Sequence, residues 1–124
     1  MSEFILDFYE GYEGAAEIQF INISNGNINK IIKIWAGFFD DIMENIAPEP
    51  TGWVSLSYYY HLHEGWYDMY EPWKISDLEP ALKQFQNVRN ASFRFPETLN
   101  IINSLCDLLY QAVENGEQVY ILYD

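Results

Sequence analysis

His61 and His63 are the chain's two histidines, one residue apart and followed directly by Glu64. On a strand, positions two apart share a face, so both imidazoles and a carboxylate would converge on one metal ion. A pair with no second cluster falls short of the four ligands of a closed zinc site, and a histidine among tyrosines is ordinarily a half-buried or surface residue. Cys106, the single cysteine, falls on the apolar stripe of a helical repeat and reads as a buried small hydrophobe rather than a nucleophile. Being single, it also excludes an internal disulfide and a cysteine-based zinc site. Asp40-Asp41 would serve acid–base chemistry only with a cleft and a companion histidine, and neither adjoins it in sequence. HExxH and a Gly-rich phosphate loop are both missing. No catalytic residue, metal ligand or cofactor is assigned, and the chain is not expected to be an enzyme.

The stronger signal is acidic and aromatic. Between Ile34 and Trp73 the chain has seven acids (Asp40, Asp41, Glu44, Glu49, Glu64, Asp68 and Glu71) and no lysine or arginine. Eight aromatics fall in the last 21 positions of that stretch, among them Trp66, Tyr67, Tyr70 and Trp73. Uncompensated carboxylates repel one another, so their accumulation does nothing for folding. Tyrosine and tryptophan anchor interfaces, and a ring beside an acid can cover the stem of a paired lysine or arginine. Some of these rings, such as Trp53, Tyr58 and Tyr60, are readily absorbed by a core. Trp66, Tyr67 and Tyr70 crowd beside Glu64, Asp68 and Glu71, which reads as a surface for a basic partner.

Across the whole chain the formal net charge is −13 in 124 residues, while 49% of residues are hydrophobic, too many for a disordered chain. One acidic domain, residues 1–124, is expected. Such a body is repelled by phosphate backbones and anionic membranes, so neither nucleic acid nor membrane is an expected direct partner. Acidity also serves plain solubility. The N-terminus has no basic region followed by a long apolar run, and no stretch reaches membrane-spanning length, which gives a cytoplasmic expectation.

The elements that would position these groups follow from periodicity. Glu3–Tyr9 and Ala16–Ile23 alternate as strands around a Glu10–Gly14 turn. Ile28, Ile31, Ile32, Trp35, Phe38, Phe39, Ile42, Met43 and Ile46 recur at helical spacing, predicting a helix that Pro48 ends. Lys30 and Lys33 at its start and Asp40, Asp41 and Glu44 at its end would oppose the helix dipole, as if kept for binding. Trp53–Tyr60 reads as a strand, His61–Asp68 as a turn and Trp66–Tyr70 as a returning strand. Ser76-Asp77-Leu78-Glu79 has capping-box spacing before a short helix. A longer helix runs from near Pro96 to Gly116, and Gln118–Tyr123 closes the chain as a strand that, like Glu3–Tyr9, could pair between chains. The expected fold is α+β, an antiparallel sheet packed by helices in the order β-β-α-β-β-α-α-β.

In size, acidity and text such as Glu64-Gly65-Trp66-Tyr67-Asp68-Met69-Tyr70-Glu71-Pro72-Trp73-Lys74, the chain resembles immunity proteins of bacterial polymorphic toxin systems, particularly contact-dependent growth inhibition. The resemblance implies a non-catalytic inhibitor that binds a cognate toxin's C-terminal domain, often a nuclease with a basic cleft. The partner-binding residues expected here are Asp40, Asp41, Glu44, Glu64, Trp66, Tyr67, Asp68, Tyr70 and Glu71. The alternative is an acidic nucleic-acid mimic that blocks a defence or DNA-processing enzyme. Oligomeric state stays open.

Overall fold

The computed structural model describes residues 5–53, 55–62 and 72–123. Its centre is a hairpin. β2 (Glu17–Ser24) and β3 (Asn27–Trp35) are antiparallel neighbours joined by the two residues Asn25 and Gly26. Both turn residues have positive φ, 54° and 80°, the conformation a tight hairpin needs and one that asparagine and glycine adopt at least cost. β1 (Ile5–Phe8) lies parallel to β3, with Ile5 opposite Ile31. β5 (Gln118–Tyr123) pairs antiparallel with β2, and the short β4 (Trp73–Lys74) pairs antiparallel with β5. The sheet order is β1-β3-β2-β5-β4, so the sheet is mixed rather than antiparallel throughout.

Among the described residues four helices complete the α+β fold: α1 (Ala36–Met43), α2 (Ser55–Leu62), α3 (Leu78–Asn87) and α4 (Thr98–Asn115). α4 buries Ile101, Ile102, Leu105, Leu108, Leu109 and Ala112, the stripe its sequence spacing gives, and Gly116 ends it in the left-handed conformation at φ 67°. That stripe joins Phe38, Phe39, Ile42 and Met43 of α1, and Ala81, Leu82 and Phe85 of α3, over one face of the sheet. The sheet contributes Ile18, Phe20, Ile32, Ile34, Val119 and Ile121. Each such side chain contributes about 1.5–3 kcal/mol by leaving water. The opposite sheet face carries Ile5, Gln19, Lys33 and Tyr120, outside this cluster.

Across the described residues the element order, β-β-β-α-α-β-α-α-β, corrects the expectation at several points. The single helix expected from Ile28 to Ile46 is a strand followed by a shorter helix. Asn25-Gly26 closes a hairpin, and Ile31, Ile32 and Ile34 are β-branched, so pairing between β1 and β2 prevails over a helical spacing that short apolar runs mimic. Lys30 and Lys33 therefore sit on β3, outside the helix, whereas Asp40, Asp41 and Glu44 remain at the C-terminal end of α1, where its dipole disfavours them. Trp53–Tyr60 is not a strand: Ser55 to Leu62 form α2. β1 does not form a hairpin with β2, because β3 lies between them, and β5 is an interior strand rather than an edge. The expected helix start at Ser76 falls at Asp77, with no side-chain cap hydrogen bond. The turn at 61–68 is described only at His61 and Leu62, and the strand at 66–70 lies outside the described residues.

Candidate partner-binding surface

The three acids expected on α1 have three different fates. Asp41 is only 5% exposed. Its Oδ1 accepts the backbone N–H of Arg94 at 2.9 Å, and its Oδ2 accepts that of Phe95 at 3.1 Å and the Thr98 hydroxyl at 2.8 Å. The carboxylate thus pins the segment that enters α4 to the end of α1. Its binding capacity is consumed internally, which corrects the assignment of Asp41 to a partner surface. Asp40 is half-buried and accepts the Tyr60 hydroxyl at 2.6 Å, tying α1 to α2. Glu44 is exposed and meets the Arg94 guanidinium at 3.4 Å, an open pair of small energetic weight.

Glu64, Trp66, Tyr67, Asp68, Tyr70 and Glu71 lie outside the described residues, as does His63. The flanks of that segment are described. α2 turns its inner side, Leu56, Tyr59 and Tyr60, toward the core, the i, i+3, i+4 spacing of a helix face. Tyr59 packs on Trp73 of β4 with centroids 4.9 Å apart, and the Gln84 side chain of α3 donates to Ser57 Oγ at 3.0 Å. These contacts hold α2 against β4 and α3.

The outer side of α2 is apolar without being covered. Tyr58 is 47% exposed and Leu62 57% exposed, one turn apart on the same face. Trp53 stacks on His61 with centroids 3.9 Å apart, extending the stripe. His61 is thus a helical residue engaged with an indole, and the shared-face argument for a histidine pair on a strand does not apply to it. Among the described residues no group of three or more histidine, cysteine or acidic side chains is placed to hold a metal ion, and no helix is long and apolar enough to cross a membrane.

The surrounding charge is mixed, with Lys74 of β4 exposed and Lys83 of α3 lining a cavity together with Asp77 and Glu79. Among the described residues the ion pairs are Lys33–Glu17 at 3.6 Å and Arg94–Glu44. Glu49, just before α2, and Asp77 and Glu79, at the start of α3, are exposed and in neither pair. Trp53 and Tyr58, expected in the core, lie instead with Leu62 on the outer stripe. The signal was present, since Leu56, Tyr59 and Tyr60 show helical spacing and leave Tyr58 and Leu62 opposite. No protein-family model, curated protein or solved structure matches this chain.

Proposed function

We propose that the protein is a non-catalytic inhibitor of the immunity type, which binds and neutralises a basic toxin domain, a nuclease by preference. The observation that carries this reading is the uncovered stripe of Trp53, Tyr58 and Leu62, with Asp77, which is in no ion pair among the described residues, lining a cavity beside Tyr58. Apolar side chains grouped on one exposed face mark an interaction site more often than chance. The net charge of −13 over the whole chain speeds encounter with a cationic partner and disfavours nucleic acid or an anionic membrane. Asp40 touches α2 through Tyr60, the segment with Glu64, Trp66, Tyr67, Asp68, Tyr70 and Glu71 follows that helix in sequence, and with the exposed Glu44 at the end of α1 they complete the proposed surface. Asp41 does not belong to it.

The test is affinity capture from lysate of the cells that express the protein, washed at low and then high salt, with bound proteins identified by mass. A stoichiometric basic partner resembling a toxin domain supports the reading. Capture of a DNA-processing or defence enzyme that washes off steeply with salt would replace it by nucleic-acid mimicry, in which charge alone holds the complex.

A further inference from the structure

Between α2, β4 and the start of α3 lies an open cavity of about 390 Å³. Its walls are aromatic. The rings of Tyr58 and Tyr59 meet edge to face, with centroids 5.1 Å apart and planes at 85°. Tyr59 and Trp73 are 4.9 Å apart with planes at 55°. Ile75 and Leu56, both buried, form its apolar floor, and Asp77 stands among the lining residues with an exposed side chain. Asp77 makes no capping bond to its own helix, so its carboxylate is not engaged there.

We infer that this cavity takes the cationic side chain of a protein partner, an arginine or a lysine. Three rings in differing planes line the cavity, and aromatic rings attract a cation while offering apolar surface to the methylene stem that carries it. A carboxylate beside them supplies a charge-assisted hydrogen bond. Among the described residues no lysine or arginine lines the cavity, the exposed Lys83 lying in the adjoining one with Asp77, Glu79 and Pro80. The neighbouring Lys74 is paired in register with Tyr120 and faces the other side of the sheet from Trp73. The N-terminal end of α3 is weakly positive, and Asp77 with Glu79 in its first turn more than offsets it. The source of the cation rests on the basic-partner reading, whereas the cavity itself can be tested without the partner.

The experiment follows the indole N–H resonance of Trp73, assigned through Trp73→Phe, in ¹⁵N-labelled protein. The probes are N-acetyl-arginine methylamide, the lysine equivalent, the uncharged citrulline equivalent and tetramethylammonium. The arginine probe is expected to move the Trp73 signal saturably, with citrulline at least about fivefold weaker. Asp77→Asn, which keeps a good helix-start residue, is expected to weaken the arginine probe about fivefold while leaving the rest of the spectrum in place. An unmoved Trp73 signal, citrulline binding as well as arginine, or an indifferent Asp77→Asn each overturns the inference. Tighter binding of tetramethylammonium than of either side-chain probe assigns the cavity to a free organic cation and overturns the protein source. A silent cavity with a successful capture removes only this site. A responsive cavity with an empty capture removes only the inhibitor reading.

Discussion

Replacing Asp41 by alanine separates two roles that the sequence alone does not distinguish. The carboxylate is 5% exposed and accepts three hydrogen bonds, from Arg94 N–H, Phe95 N–H and the Thr98 hydroxyl. A hydrogen bond to a charged group contributes about 1.5–3 kcal/mol net, and a buried donor left without a partner costs about 1–3 kcal/mol. Arg94 is exposed, so water can reach part of the broken network, and Thr98 can rotate its hydroxyl elsewhere. The expected loss is therefore about 3 kcal/mol rather than the full sum. In a chain of this size that lowers Tm by about 10–15 °C. Asp41→Asn should lose roughly half as much, because one oxygen still accepts while the amide N–H₂ faces donors. Urea unfolding followed by far-UV circular dichroism gives the free energy directly. A loss below about 1 kcal/mol with an unchanged m-value, accompanied by weaker partner binding, would refute the structural role and return Asp41 to the interface.

Other perturbations have equally definite signs. In Gly37→Ala the new methyl overlaps the six-membered ring of Trp35, which Tyr12 holds by stacking at 4.6 Å and Phe38 and Phe95 hold edge-on. Overpacking at about 1–3 kcal/mol outweighs the helix-propensity gain of about 0.5–1 kcal/mol, so unfolding should become easier and the near-UV spectrum should change. A more stable variant would show that the indole moves aside freely. Cys106 is buried, which pushes its thiol above the ordinary range, with Arg89 partly opposing the shift. The unfolded chain then releases that proton at lower pH than the folded one, so stability is insensitive to this group at neutral pH and falls as pH rises above the unfolded thiol's value of about 9. Cys106→Ala should abolish that part of the alkaline decline, and the native thiol should resist a disulfide reagent until the protein is unfolded. Tyr58→Ser with Leu62→Ser should lower stability by about 1–2 kcal/mol, since Tyr58 is 47% exposed and gives up its edge-to-face contact with Tyr59, while weakening capture of the partner about tenfold or more. Unchanged capture would remove the outer face of α2 from the interface.

What could be read from sequence divides by how far each element depends on its neighbours. α4 declares itself through an apolar stripe sustained from Ile101 to Ala112 and a glycine stop, and its spacing fits no other element. β2 and β5 alternate clearly enough to be read as strands. Residues 28–46 mislead because Ile28, Ile31, Ile32 and Trp35 fit a helix face locally, and only pairing on both sides makes β3 a strand. The Asn25-Gly26 turn was the available correction, for it favours a hairpin over a stop. α2 is the reverse case. Its tyrosines favour strands by propensity, while Tyr60 to Asp40 and Tyr59 to Trp73 hold it as a helix in three dimensions. Asp41 shows the same limit at the site. An acid in an acidic run looks available for a partner, and only the approach of Arg94 and Phe95, more than fifty residues away, shows that it is already engaged.

The central claim, stoichiometric inhibition of a basic nuclease domain, is tested most directly by titrating the captured partner's cleavage of plasmid DNA with the purified protein. Complete inhibition at one equivalent is predicted, with Asp68→Lys and Glu71→Lys together displacing the endpoint to a clear excess. Undiminished cleavage at a large excess of the wild-type protein would contradict it.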